Sequence, residues 1–311
     1  MINTVYRLVA PRRFEIAFED INLFGENAIV RPTYLSICNA DMRYYLGTRD
    51  AKVLAEKLPM ALIHEGVGEV FLDPTGTFKT GDKVVMVPNA PVEKDEFIAE
   101  NYLRSSKFCG SSMDGFLQEF VEISPKRLVK LPDYIDMTVA AFTEIVSVSV
   151  HAISRFDKIA HARRNTISVW GDGNLGYITS LFLKYHFPKS KIVVFGTSSD
   201  KLADFTFADE THLVNEVPDG FTTDHAFECV GGNGSPIAIE QIIGLIKPEG
   251  TISILGVSEY PVPINTRMIL EKGLRVFGSS RSGVKDFAKT VDMYKKHPEI
   301  IDYLGNLINS V

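Results

Sequence analysis

The stretch Thr166-Ile-Ser-Val-Trp-Gly-Asp-Gly-Asn-Leu-Gly176 decides how the second half of this chain folds. Gly171-x-Gly173-x-x-Gly176 alone is a short pattern that chance often produces, so its flanks carry the weight. Before it, residues 167–170 form an apolar, β-rich run suited to a strand buried on both faces. After it, residues 174–186 place Leu175, Ile178, Leu181 and Phe182 at helical spacing, with no proline before Pro188. Strand, tight glycine turn and helix together make a dinucleotide-binding fingerprint. The first glycine permits the turn, the second lets the backbone approach a pyrophosphate, and the third lets the helix close on the strand. Gly171, Gly173, Asn174, Leu175 and Gly176 are therefore the expected pyrophosphate contacts, with free N–H groups and the helix dipole facing the anion.

Downstream, Lys191-Ile-Val-Val-Phe195 reads as the next strand. NAD-preferring enzymes place an acid at its end, about 20 residues beyond the glycines, to hold the ribose hydroxyls. Here that position is Gly196, followed by Thr197-Ser-Ser-Asp-Lys201. No carboxylate stands there to repel a 2′-phosphate, while hydroxyls and an ammonium cluster nearby. The pattern predicts NADP(H), with Gly196, Thr197, Ser198 and Lys201 as cofactor-binding residues, and an aspartate at 196 is expected to reverse the preference. A plain strand-to-helix turn with a serine cap is the alternative reading of the same residues. Further strands are expected near 212–214, 225–230, 251–255 and 274–278, with helices over 237–246 and 287–297. Cys229, inside a strand, reads as structural.

Upstream the pattern changes. Residues 1–135 hold short alternating strands broken by turns, among them Arg13-Phe-Glu-Ile-Ala-Phe, Ala28-Ile-Val-Arg-Pro, Val67-Gly-Glu-Val-Phe and Lys83-Val-Val-Met-Val. Gly76 and Gly81-Asp82 punctuate them. Nothing there resembles a βα repeat, so a separate β-barrel-like domain is expected ahead of the nucleotide domain. Over 133–156 the pattern turns helical, with Met137, Ala141, Ile145, Val148 and Ile153 near one face, as in a bridge between domains. A chain of 311 residues suits about two domains. A formal net charge of −6 gives no reason to expect nucleic acid or an anionic membrane as partner. No run is long and apolar enough to span a bilayer, and Met1-Ile-Asn-Thr does not open a signal peptide. Three widely spaced cysteines make no disulfide framework, which favours the cytoplasm.

Three places in the β-rich half could carry chemistry. Cys38-Asn-Ala-Asp41 opens a turn or helix after a strand ending near Leu35. His64-Glu65 follows an apolar run and precedes Gly66-Val-Gly-Glu-Val. Glu144 lies inside the apolar stretch 140–150. Thiolate, imidazole and carboxylate oxygen are all zinc ligands. Taken singly, Cys38 reads as a small buried hydrophobe and His64 as a hydrogen-bonded core residue. Glu144 is harder to explain that way, because an unpaired buried carboxylate is costly.

In this order, Cys38, His64-Glu65, Glu144 and the glycine motif resemble the medium-chain, zinc-dependent alcohol and polyol dehydrogenases. Gly81-Asp82-Lys-Val84, Gly115-Phe-Leu-Gln-Glu-Phe-Val121 and Ala208-Asp-Glu-Thr211 extend the resemblance over nearly the whole chain. The resemblance implies an α/β protein with a GroES-like β-barrel catalytic domain over 1–140, completed by 279–311. A Rossmann domain, a doubly wound parallel sheet, is implied over 141–278. It makes Cys38, His64 and Glu144 the implied catalytic zinc ligands, with Glu65 beside the metal or exchanging with its water. A glutamate at the third position is more similar to sorbitol dehydrogenases than to ethanol dehydrogenases. Many relatives carry a four-cysteine structural zinc lobe, but 88–115 contains only Cys109, so no structural zinc is expected. Relatives commonly place Ser or Thr two residues after the first ligand as a proton relay, and here Ala40 has no proton to pass. Glu65, Tyr44, a water or a substrate hydroxyl must then serve. Chains of this family are expected to run on past Val311, which puts activity in question.

Cys38-Asn-Ala-Asp-Met-Arg-Tyr-Tyr-Leu-Gly47 and Gly278-Ser-Ser-Arg-Ser282 narrow the resemblance to ribulose-5-phosphate reductases, which make ribitol 5-phosphate for teichoic acids and related capsules. This implies NADPH-dependent reduction of the C2 ketone, with Arg43, Tyr44 and Arg281 as candidate substrate-binding residues; the two arginines could instead bind a cofactor phosphate or form ordinary salt bridges. It also implies work alongside a separate cytidylyltransferase, and a homo-oligomer is expected. Dehydrogenation of an unphosphorylated polyol such as sorbitol, or a catalytically silent nucleotide-binding protein, are the competing readings.

Overall fold

The computed structural model describes residues 1–308. The β-rich half forms because its strands alternate apolar and polar residues, so each sheet can bury one face. It contains β1 (Ile2–Ala10), β2 (Arg13–Asp20), β3 (Ala28–Ser36), α1 (Asn39–Leu46), α2 (Ala51–Lys57), β4 (Met60–Ala61) and β5 (Glu65–Leu72). It continues with β6 (Lys83–Met86), β7 (Asn89–Ala90), β8 (Lys107–Phe108), β9 (Val121–Ile123), β10 (Leu128–Lys130) and α3 (Met137–Ala140). A five-stranded sheet in the order β10-β6-β5-β3-β9 and a three-stranded sheet β2-β1-β4 make up its framework. Val30, Val70, Val84, Met86, Phe116 and Leu128 pack one core. Pro32 sits where the β3–β5 register slips, past the residues that β9 pairs with, so its missing N–H costs no ladder bond. Gly68 is required by the close approach of β3, since a Cβ there would lie 2.4 Å from the Arg31 carbonyl oxygen.

The helical bridge expected over 133–156 is two helices. Phe142 N–H turns back to the Val139 carbonyl, and the Thr143 hydroxyl donates to the Ala140 carbonyl at 2.6 Å, so α3 ends and α4 (Thr143–Ile159) starts afresh.

The second half is built as its glycine stretch predicts. β11 (Thr166–Trp170), α5 (Asn174–His186), β12 (Lys191–Gly196), α6 (Ser199–Ala203) and β13 (Glu210–Leu213) are followed by β14 (Thr223–Glu228), α7 (Ser235–Leu245) and β15 (Ile246–Ile254). Then come α8 (Thr266–Lys272), β16 (Arg275–Gly278), α9 (Val284–Lys296) and α10 (Glu299–Gly305). The six strands pair in parallel in the order β13-β12-β11-β14-β15-β16. Strand order therefore reverses beside β11, and ligands of such sheets bind off the strand ends at that switch point. Every residue of β14 is buried, as a strand covered on both faces must be.

The chain divides into two compact units, one of residues 1–147 and 281–311, the other of 148–280. The first division falls inside α4, past the boundary expected at 140. Residues 309–311, counted with the closing part of the catalytic domain, lie outside the described residues.

Candidate active site

Cys38 ends the chain leaving β3 and starts α1. Asp41, one turn into the helix, returns its carboxylate to the Cys38 backbone N–H at 3.0 Å, the reciprocal half of a capping box. The same oxygen accepts from the Cys38 thiol at 3.0 Å, while the other accepts from Ile63 N–H at 3.0 Å. Asp41 thereby ties the thiol to the segment that carries His64 into β5. Gly47 in the left-handed region (φ 71°) closes the helix, its N–H bonded back to carbonyls of the last turn.

His64 and Glu65 lie at the entry to β5. Ile63 has φ 72°, a rare and strained value for a β-branched residue, and it turns His64 toward Cys38. The 110–117 segment holds this conformation. Phe116 N–H donates to the Ile63 carbonyl at 2.7 Å, and a Cβ on Gly115 would lie 2.2 Å from that oxygen. His64 Nε2 is 3.6 Å from Cys38 Sγ, and His64 Nδ1 is 4.0 Å from Asp41 Oδ1. That Nδ1 is buried without a hydrogen-bond partner among the described residues. The ligand atoms of Cys38, His64 and Glu65 all lie within 4.8 Å of one another.

Glu144, in the first turn of α4, is buried beside this group but is not one of the three atoms that converge. Burial, then the charge of Glu144, pushes the Glu65 carboxyl well above its ordinary pKa. Burial raises Glu144 too, against the opposing charge of His64. Burial and the neighbouring carboxylates of Asp41 and Glu65 likewise raise the Cys38 thiol. Such a cluster holds protons until a cation joins it and favours the charged donors.

Arg281 closes the other side. Its guanidinium lies 4.5 Å over the Phe108 ring, whose centroid is 5.2 Å from that of His64. Burial lowers its pKa, while the charges of Glu144 and Tyr44 act the other way. A guanidinium starts high enough to stay charged. Its backbone is fixed by its neighbours: Ser282 Oγ and Ser147 Oγ are 2.6 Å apart, and Val284 N–H donates to Glu100 Oε1 at 2.9 Å. Arg43 is half-buried on α1. Tyr44 is only 4% exposed and packs with Leu8, Met60, Leu62 and Ile63, which makes it chiefly a core residue rather than a free proton donor. Cys109 and Cys229 are buried, and burial lifts the Cys109 thiol to about 12.

In the second unit, Gly171 takes φ 130° and Gly173 leaves open space above the start of α5. A Cβ on Gly176 would fall 1.9 Å from the Gly171 carbonyl oxygen. Asn174 and Leu175 open the helix as expected. Beyond β12, Thr197 and Ser198 form the turn into α6, with Ser198 as its cap and Lys201 in the helix. An aspartate at 196, expected to reverse the cofactor preference, would enter a crowded turn. A Cβ at Gly196 would lie 2.7 Å from Asp172 Cβ and 2.9 Å from Leu202 Cδ2, so the substitution must displace Asp172 before it can test cofactor choice. Asp41, Phe108 and Asp172 are site residues that sequence reasoning missed. Only Asp41 left a signal, its place three residues after Cys38.

Residues 25–133 match the alcohol dehydrogenase GroES-like domain, and residues 188–296 match the zinc-binding dehydrogenase domain. The chain belongs to the zinc-binding alcohol dehydrogenase family. It is 56% identical over 308 residues to a ribulose-5-phosphate reductase of Bacillus spizizenii, covering 99% of this chain and 90% of the relative. It is 47% identical to one of Streptococcus pneumoniae, covering 94% and 85% respectively. The crystal structure of Staphylococcus aureus TarJ in complex with NADPH aligns with a TM-score of 0.89 and 52% identity, over 99% of this chain and 89% of that one.

The residues present fit the zinc this family is named for. Sulfur, imidazole nitrogen and carboxylate oxygen are the donors zinc takes, and one of each lies here within 4.8 Å of the others. The unpartnered His64 Nδ1 faces Asp41, the kind of carboxylate that orients a ligating histidine.

Proposed function

We propose that this chain reduces D-ribulose 5-phosphate to D-ribitol 5-phosphate with NADPH and zinc. The observation that carries the reading is the convergence of Cys38, His64 and Glu65, beside Glu144 and Arg281, in a chain more than half identical to ribulose-5-phosphate reductases. Cys38, His64 and Glu144 would hold the metal, with Glu65 beside it and able to take a ligand position. Zinc when bound supplies a Lewis acid for the ketone oxygen. Asp41 fixes the loop that bears Cys38 and keeps His64 turned so that Nε2 faces the thiol. Arg281 offers a planar fork to the substrate phosphate, held in place by Phe108, and Arg43 is the second candidate for that anion. NADPH supplies the hydride to C2, and Gly171, Gly173, Asn174, Leu175 and Gly176 receive its pyrophosphate. Ala40 carries no hydroxyl, so the proton that completes the alcohol comes by another group or by water.

Ribitol 5-phosphate made this way would serve CDP-ribitol and poly(ribitol phosphate) synthesis, consumed by a separate cytidylyltransferase in the cytoplasm. We also assign a homo-oligomeric state to the active enzyme. No helix among the described residues is long and apolar enough to cross a membrane.

The test is metal analysis together with NADPH oxidation against ribulose 5-phosphate, free ribulose and free ketohexoses. The reading expects bound zinc, lost with Cys38→Ser or His64→Ala, and the fastest oxidation with ribulose 5-phosphate. Full turnover by verified metal-free protein, or preference for a free ketose, would reject it. The latter result would promote a sorbitol-like dehydrogenase instead.

A further inference from the structure

The turn after β12 is already occupied by a side chain of this protein. Asp172, between the first two glycines of the motif, reaches across from the end of β11. Its Oδ2 accepts from Thr197 N–H at 2.6 Å, from the Thr197 hydroxyl at 3.2 Å and from Ser198 N–H at 2.9 Å. Gly196 makes room for this, because a Cβ there would strike Asp172. Burial alone would raise the Asp172 pKa. The hydrogen bonds from Thr197 and Ser198, with the charge of Lys201, more than offset it, so the group is an anion at neutral pH.

The end of the second Rossmann strand is where dinucleotide enzymes tell a ribose 2′-hydroxyl from a 2′-phosphate. A hydroxyl can donate to a carboxylate. A phosphate can only accept, and it repels a neighbouring anion. The three donors that Asp172 engages are those that a phosphate at this turn would need.

We infer that Asp172 sets the chain's affinity for the 2′-phosphate, because its carboxylate and that phosphate compete for the donors of Thr197 and Ser198. The inference rests on the NADPH reading above. Its carboxylate holds the donors that the phosphate would take and keeps the turn in shape. When the phosphate arrives, Asp172 must leave those donors, and its charge stays close enough to oppose the anion. The sequence motif conceals this, since the position between the first two glycines is not where an acid is looked for.

Titration calorimetry of the intact chain with 2′,5′-ADP and with 5′-ADP tests the idea without any turnover. The variant is Asp172→Asn, which keeps an acceptor for the turn, removes the charge and adds a donor. The competition requires 2′,5′-ADP to bind about tenfold tighter to Asp172→Asn, a free-energy change of about 1.4 kcal/mol. The affinity for 5′-ADP should stay within about twofold on the same scale. Unchanged or weaker binding of 2′,5′-ADP would overturn the inference and make Asp172 a brace for the turn. If Asp172→Asn fails to fold, Asp172→Ser is read the same way. The wild type's own preference judges the underlying reading separately. Tighter binding of 5′-ADP than of 2′,5′-ADP by both wild type and variant would reject NADPH, and the competition with it.

Discussion

Replacing Arg281 separates a phosphate-binding role from a structural one. The guanidinium is partly buried, stacked at 4.5 Å on Phe108, and anchored through Ser282 and Val284 on its C-terminal side. Little side-chain freedom remains to be lost when it engages an anion. Charge-assisted hydrogen bonds contribute about 1.5–3 kcal/mol. At ~1.4 kcal/mol per decade, Arg281→Ala should lower kcat/KM on ribulose 5-phosphate by roughly ten- to a hundredfold. Free ribulose, lacking the phosphate, should lose little. The backbone supplies a control, because Arg281 sits at φ 56°, a left-handed conformation that disfavours any Cβ. Arg281→Gly removes that cost, about 1 kcal/mol, and should melt later than Arg281→Ala while losing the same activity on the phosphorylated substrate. Steady-state kinetics on both ketoses and thermal melts of both variants are the measurements. Equal proportional losses on ribulose and its phosphate would refute the reasoning and make Arg281 a support for Glu144 or the metal site.

Two further outcomes follow from the second unit. Gly176→Ala puts a methyl group 1.9 Å from a backbone oxygen and should cost about 1–3 kcal/mol, whereas Gly173→Ala enters open space and should leave the melting temperature unchanged. Both should weaken NADPH binding by calorimetry, and a Gly176→Ala protein as stable as wild type would contradict the packing argument. His225 is buried, accepts from Thr251 N–H at Nδ1 (3.2 Å) and pairs with the Arg163 carbonyl through Nε2 (3.0 Å), and burial followed by the charge of His161 lowers its pKa to about 4. An unfolded histidine takes up its proton near 6.5, so this group's contribution is complete above that pH and declines as pH falls toward 4, by about 2–3 kcal/mol at most. His225→Gln should flatten the loss of melting temperature between pH 6.5 and 4.5, and equal slopes for variant and wild type would count against the assignment.

Much of this was legible because local patterns and tertiary demands agreed. The apolar run before Gly171, the glycine turn and the helical spacing after it all point to one strand-turn-helix unit, and the parallel sheet follows from repeating that unit. The strands at 13–18, 28–32, 67–71 and 83–87 were visible as alternations, although β1, where Asn3 is buried and Arg7 is half-exposed and paired with Asp114, was not. The single bridge helix was misread because its periodicity continues through 141–142. The break comes from the Thr143 hydroxyl capturing the Ala140 carbonyl, which composition does not reveal. In the metal-binding region, residue types and order singled out Cys38, His64, Glu65 and Glu144. They could not say that three of the ligand atoms converge while Glu144 stands beside them, nor that Tyr44 is committed to a core.

Cofactor choice shows most clearly what position along a chain can and cannot convey. Gly196 occupies the place of the usual acid, and from sequence its lack of a carboxylate argues for a 2′-phosphate. The structure supplies a different reason for that glycine. Asp172 needs the space, and it carries an acid to the same turn from a position twenty-four residues earlier in the chain. The turn therefore has both the donors that suit a phosphate and an anion that opposes one, and the balance rests on whether Asp172 can swing away. A substitution at Gly196 would disturb both at once and could not be interpreted. A substitution at Asp172 changes charge while leaving the turn's donors in place, which makes it the cleaner point of attack on NADPH selectivity.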